Sequence, residues 1–103
     1  MSFDSMAALL PDDPWGHLHK AFCLHELKRT RMAYNTLIAV VDMHPKEWLM
    51  RYNLACYSCQ LGNISESFDW LGKAISIAGK KEIRIMALDD PDLEPMWTRI
   101  GDI

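Results

Sequence analysis

An internal repeat of 34 residues constrains the fold of this chain more than any other feature of its sequence. When the sequence is shifted by 34 positions, small residues coincide with small ones and large apolar residues with large apolar ones. The aligned pairs are Pro11 with Pro45, Ala21 with Ala55, Leu27 with Leu61, Tyr34 with Phe68, Leu37 with Leu71, Val40 with Ala74, Val41 with Ile75 and Met43 with Ile77. Repeats of this length are pairs of helices that stack on their neighbours and bury a continuous core. The interval therefore predicts an all-α protein built from helical hairpins.

The apolar positions inside each repeat are three and four residues apart, which is the spacing of amphipathic helices. The spacing predicts two pairs of helices, at about residues 14–28, 30–43, 46–61 and 64–78. Asp13 and Pro14 suit the cap and the first position of the first helix, and Pro45 separates the two pairs. Gly62 favours a tight turn inside the second pair, because glycine accepts a positive φ.

The last part of the sequence departs from the repeat. A short helix is predicted at about 81–88, the aspartates and proline at 89–92 interrupt it, and a last helix follows. A terminal unit of this kind is expected to close the core at the end of a stack. The predicted organisation is a single domain with an extension or short helix at 1–13, a first repeat at 14–45, a second at 46–79 and capping helices at 80–103.

Composition excludes several classes of partner and location. A chain of 103 residues corresponds to one domain, and its formal net charge of −3 argues against binding to nucleic acid or to an anionic membrane surface. No apolar run approaches the ~20 residues of a membrane span, and the first residues lack the pattern of a signal peptide. The odd number of cysteines, three, is typical of free thiols, so the sequence predicts a cytoplasmic protein.

No residue pattern points to catalysis. None of the four histidines has a nucleophile and an acid at a recognised spacing. Cys56 and Cys59 form a single C-x-x-C late in a helix, away from the helix N-terminal position of a redox pair. A zinc site would need two more ligands, which only His19 and Cys23 of the neighbouring helix could supply, so buried packing thiols are the favoured interpretation. The acidic residues at 89–94 lack the glycine and closing glutamate of a calcium loop, and helix capping explains them better. The sequence therefore predicts no enzyme activity, no metal and no cofactor.

The second repeat carries a resemblance to a known family. Residues 52–57 (YNLACY) and 61–63 (LGN), followed by Phe68, Leu71 and Ala74, resemble the tetratricopeptide repeat (TPR) family. The family implies a right-handed superhelix of antiparallel helix pairs, here with two full repeats and a truncated C-terminal capping unit. The chain departs from the family pattern where Lys28 replaces a turn glycine, where Ser67 replaces an alanine and where Gly79 replaces the proline that ends a repeat.

The resemblance also implies a concave face, lined by the first helix of each pair, that binds another polypeptide. The residues that map to this face are Trp15, Leu18, His19, Phe22, His25, Leu49, Tyr52, Asn53 and Cys56. Because the set is apolar for a solvent-facing surface, it predicts a site for an apolar peptide or helix, with Trp15, Phe22 and Tyr52 as anchors. Three occupants stay open: a partner protein, a second copy of the chain in a homodimer, or this chain's own leading residues or last helix.

Overall fold

The computed structural model describes residues 13–103, so the extension or short helix predicted at 1–13 lies outside the described residues except for Asp13. All regular secondary structure in the described part is helical, which confirms the all-α prediction for it. The helices are α1 (Pro14–Glu26), α2 (Thr30–Ile38), α3 (Trp48–Gln60), α4 (Ile64–Ala78), α5 (Lys80–Leu88) and α6 (Trp97–Gly101). Two 3₁₀ helices, Val41–Met43 and Pro91–Met96, lie between α2 and α3 and between α5 and α6. None of the helices between residues 13 and 103 has the length and apolarity that crossing a bilayer requires.

The beginning of α1 follows local capping chemistry, whereas the end of α2 does not lie where the sequence predicts it. The side chain of Asp13 accepts a hydrogen bond from the Trp15 amide at 3.0 Å, and Pro14 occupies the first helical position. The second helix was predicted to continue to Met43, but α2 ends at Ile38 and a 3₁₀ turn follows it. Val40 leaves the helical conformation there, with a φ of −125°, and β-branched residues such as valine have a slightly lower preference for helix.

The two hairpins recur in the structure at the interval that the sequence shows. The first helices of the hairpins begin at Pro14 and Trp48, which are one repeat length apart, and the second helices begin at Thr30 and Ile64, again one repeat length apart. Within each hairpin the two helices pack on each other, and α2 also packs on α3 of the next hairpin. One repeat of the sequence therefore corresponds to one helical hairpin of the structure.

The turn inside each hairpin closes with equivalent hydrogen bonds. The Lys28 amide donates to the His25 carbonyl at 2.9 Å, and the Gly62 amide donates to the Cys59 carbonyl at 3.0 Å. Lys28 and Gly62 both have the left-handed conformation, with φ of 63° and 86°. Glycine adopts it at little cost, whereas the Cβ of a lysine crowds the following carbonyl oxygen. The first hairpin therefore carries a strained residue where the second has glycine.

Small side chains occupy the centre of the core between the helices. Ala21, Ala33 and Ala55 are fully buried. Ser67 is fully buried as well, and its hydroxyl donates to the Ala55 carbonyl at 2.6 Å. Since the hydroxyl has a partner, a serine at this position leaves no unsatisfied polar group.

A buried arginine holds the connection between the hairpins. Arg51 in α3 is only 8% exposed, and its guanidinium donates to the carbonyls of Val41, His44 and Glu47 at 3.2, 2.8 and 3.0 Å. These carbonyls belong to the segment that leads from α2 into α3. Arg51 therefore ties that segment to the helix that follows it.

The C-terminal residues form part of the core. α5 packs on α4, and the 3₁₀ helix Pro91–Met96 packs on α3. Leu93, Met96 and Ile100 are fully buried. Because these side chains fill the interior, residues 89–96, called the C-terminal segment below, cannot leave α3 without exposing the core.

Candidate functional site

An open groove lies between α1 and α3, the first helices of the two hairpins. Its volume is about 340 Å³, and it is lined by Trp15, Leu18, His19, Phe22, Leu49 and Asn53. These six all belong to the nine residues that the sequence predicted for a concave face. The structure therefore gathers six of the nine predicted residues around one depression.

The helical periodicity of α1 explains how its side chains reach the groove. Trp15, Leu18 and Phe22 are three and four residues apart, so they lie on one stripe of the helix. Leu18 is buried, whereas Trp15 and Phe22 are 64% and 53% exposed. The groove therefore has an apolar floor and two exposed aromatic side chains beside it, which together form a contiguous apolar surface.

The opposite wall of the groove comes from α3 and adds little polarity. Leu49 and Asn53 are four residues apart on one face of α3, and both are partly buried. The amide of Asn53, the imidazole of His19 and the indole N–H of Trp15 are the polar side-chain groups among the described lining residues, and no Asp, Glu, Lys or Arg is among them. Such a lining suits an apolar ligand whose orientation is set by one or two hydrogen bonds.

The three remaining predicted residues, His25, Tyr52 and Cys56, lie beneath the C-terminal segment. Tyr52 and Cys56 are each 4% exposed. The Tyr52 hydroxyl donates to Asp90 Oδ2 at 2.7 Å, and Cys56 Sγ donates to the same oxygen at 3.6 Å. His25 Nε2 lies 3.0 Å from Asp92 Oδ2. The structure thus places Tyr52, predicted as an anchor for a ligand, in contact with this chain's own C-terminal segment.

Burial keeps the donors beneath this segment protonated. Desolvation is the largest cause that raises the pKa of the Tyr52 hydroxyl, and Cys56 and Asp90 raise it further. Desolvation also raises the pKa of the Cys56 thiol well above its ordinary value, followed by the charges of Asp90 and Asp92. Both groups therefore carry a proton at neutral pH and can donate it to the Asp90 carboxylate.

Sequence reasoning missed the second role of the acidic residues in the C-terminal segment. Asp90 does act as a cap, as predicted, since its Oδ1 accepts from the Asp92 amide at 3.0 Å. Its other oxygen reaches α3, and the Gln60 side-chain amide donates to the Asp92 carbonyl at 2.8 Å. The acidic stretch itself was the only signal in the sequence, because these contacts join residues far apart in the chain.

A larger depression, of about 540 Å³, lies at the beginning of α4 and is polar. Its lining includes Glu66 and Asp69. Glu66 is already engaged, because Tyr34 donates to its carboxylate and Trp70 Nε1 donates to the same oxygen at 3.0 Å. The Tyr34 bond is the largest cause that lowers the pKa of Glu66. The Tyr34 bond joins α2 to α4, so the Glu66 carboxylate of this depression already serves the packing between the hairpins.

Comparisons of the chain with protein-family models, with curated proteins and with solved structures found no match. What the chain does must therefore be inferred from the groove and from the residues beneath the C-terminal segment.

Proposed function

We propose that this chain is a non-catalytic, TPR-type interaction module whose groove binds an apolar helical segment of another protein. The observation that carries the proposal is the convergence of Trp15, Leu18, Phe22 and Leu49 on one open groove, with both aromatic side chains more than half exposed. Exposed apolar patches of this kind mark interaction sites more often than scattered apolar residues do.

The proposal includes the right-handed stacking of hairpins that is typical of TPR proteins. Two observations support it: helix starts that recur one repeat length apart, and turns that close with equivalent hydrogen bonds at Lys28 and Gly62. The proposal also includes a reducing, cytoplasmic compartment, with which the free thiols of Cys23, Cys56 and Cys59 agree.

The dimensions of the groove favour insertion of a few side chains over enclosure of a whole ligand. A volume of about 340 Å³ is near the lower end for ligand pockets. From Trp15 to Phe22 the groove follows α1 for about 10 Å, which is two helical turns. A bound helix of similar length presents apolar residues three and four positions apart to such a groove. Trp15 and Phe22 would then carry most of the affinity, as aromatic anchors commonly do.

A selection of displayed peptides against the purified protein tests the proposal. We expect the enriched sequences to share apolar residues at helical spacing. Phe22→Ala is expected to weaken their binding by about 30-fold or more, since a hot-spot aromatic contributes about 2 kcal/mol or more. The matched control is Ile85→Ala, because Ile85 is 59% exposed on α5 and outside the groove. Fluorescence anisotropy measures both affinities, and circular dichroism verifies that both variants are folded.

Enriched peptides that bind Phe22→Ala as tightly as the unaltered protein would refute the assignment of the groove. Sedimentation tests the alternative function, a homodimer in which two copies of the chain meet through the same apolar face. A species of twice 11.9 kDa that dissociates in Phe22→Ala would show that a second copy occupies the groove, and the proposal of a different partner would then fail.

A further inference from the structure

Three side chains with metal-binding atoms converge beneath the C-terminal segment. Cys56 Sγ and one carboxylate oxygen each of Asp90 and Asp92 lie within 4.8 Å of one another. Cys56 belongs to α3, whereas the two aspartates flank Pro91 at the beginning of the second 3₁₀ helix. Ligands of one tetrahedral zinc ion are about 3.5 Å apart, given bonds of about 2.3 Å to sulfur and 2.0–2.2 Å to oxygen. Small shifts of side chains therefore suffice for all three to share an ion.

Neighbouring side chains already orient both carboxylates. The Tyr52 hydroxyl donates to Asp90 Oδ2 at 2.7 Å, and His25 Nε2 lies 3.0 Å from Asp92 Oδ2. The other nitrogen of His25, Nδ1, lies 3.0 Å from Thr30 Oγ1, so the imidazole is held on both sides. Partners of this kind, which touch the ligands and not the ion, are the usual second shell of metal sites.

We propose that Cys56, Asp90 and Asp92 bind one Zn²⁺ ion, with His25 and Tyr52 orienting the two carboxylates. A thiolate among the ligands favours zinc over magnesium or calcium, which prefer all-oxygen sites. Three protein ligands leave the fourth tetrahedral position to a water molecule. The site goes beyond the proposed interaction function and does not depend on it, because none of its three ligands lines the groove.

When the metal binds, it replaces the proton of the Cys56 thiol. The S–H bond of Cys56 breaks, its proton passes to solvent, and the sulfur electron pair forms the Zn–S bond. The hydrogen bond from Cys56 Sγ to Asp90 Oδ2, at 3.6 Å, is the contact that the ion would replace. The Tyr52 and His25 contacts need not change. The bound ion would tie α3 to the C-terminal segment, whose Leu93 and Met96 fill the core.

Cobalt(II) is the spectroscopic probe for the test. We expect the unaltered protein to bind one Co²⁺ per chain with a thiolate-to-cobalt charge-transfer band, which an equivalent of Zn²⁺ abolishes and excess Mg²⁺ does not. The band is expected to disappear in Cys56→Ser. It should persist in Cys59→Ser, the matched control, because Cys59 is equally buried in the same helix but outside the ligand set.

Competition with a chromophoric chelator gives the affinities for Zn²⁺. Cys56→Ser and Asp92→Asn are each expected to weaken binding more than tenfold, and Cys59→Ser less than twofold. Asp92 is partly exposed, so Asp92→Asn provides a folded variant even if the buried Cys56→Ser does not fold. A missing charge-transfer band, or equal affinity of Asp92→Asn and the unaltered protein, overturns the site. Phe22→Ala is expected to keep the metal affinity, so failure of the groove and failure of the metal site are seen separately.

Discussion

Substitutions at the equivalent turn positions Lys28 and Gly62 are predicted to change stability in opposite directions. A left-handed conformation costs a residue other than glycine about 1–2 kcal/mol. Glycine avoids this cost, but it loses more conformational freedom on folding than lysine or alanine does. That loss takes back about 0.5–1 kcal/mol of the gain. Lys28→Gly is therefore expected to raise the free energy of unfolding by about 0.5–1 kcal/mol, and Gly62→Ala to lower it by a similar amount. No atom lies within 4 Å of a Cβ added at Gly62, so the loss comes from the backbone alone.

Gly72→Ala is the matched control for these two variants. Gly72 is exposed inside α4, and a Cβ added there also meets nothing within 4 Å. Because the backbone of Gly72 is helical, Gly72→Ala is expected to raise the free energy of unfolding by about 0.5–1 kcal/mol. Urea unfolding followed by circular dichroism measures the three effects, and a slope of about 1 kcal/mol/M gives midpoint shifts of about 0.5–1 M. If Lys28→Gly lowered the midpoint, or Gly62→Ala raised it as Gly72→Ala does, the two turns would not share a strained conformation.

Two further predictions concern polar contacts between the helices. Arg51→Met should lower the free energy of unfolding by about 2–4 kcal/mol, because three carbonyls lose a charged donor while the apolar stem of the side chain is kept. Urea unfolding measures this loss. A loss below about 0.5 kcal/mol would contradict the role assigned to Arg51. Tyr34→Phe should lower the free energy of unfolding by about 1 kcal/mol at pH 7, a value that already allows for the partial exposure of the Tyr34–Glu66 pair. The loss should become smaller as the pH falls below about 4. The sign follows from the lowered pKa of Glu66: its carboxylate stabilises the fold above the unfolded pKa, and this stabilisation is lost as the folded group takes up a proton. A cost of Tyr34→Phe that stayed constant from pH 7 to pH 3 would contradict it.

Much of the fold was predictable because its signals are local. The beginning of α1 at Pro14, both ends of α4 and the positive φ of Gly62 agree with the predictions, and each depends on a cap or turn only a few residues long. Where α2 stops was not predictable to the residue. Its end lies next to a short run in which Ala39, a good helix former, is followed by two valines of lower helix propensity, so the sequence does not mark one residue as the last of the helix.

The groove was predictable in part for the same reason. Trp15, Leu18 and Phe22 form a stripe because of helical periodicity, and the 34-residue interval relates them to Leu49 and its neighbours in α3. A periodic sequence therefore determines which side chains share a face.

Only the tertiary structure decided how much of that face is open. Tyr52 and Cys56 lie on it as the periodicity requires, yet Asp90 and Asp92 cover them. Their pairing depends on how the chain returns across α3 once Leu93 and its neighbours enter the core. Contacts between distant residues arise from the packing of the whole chain, in which burial of apolar surface outweighs the preference of any short segment.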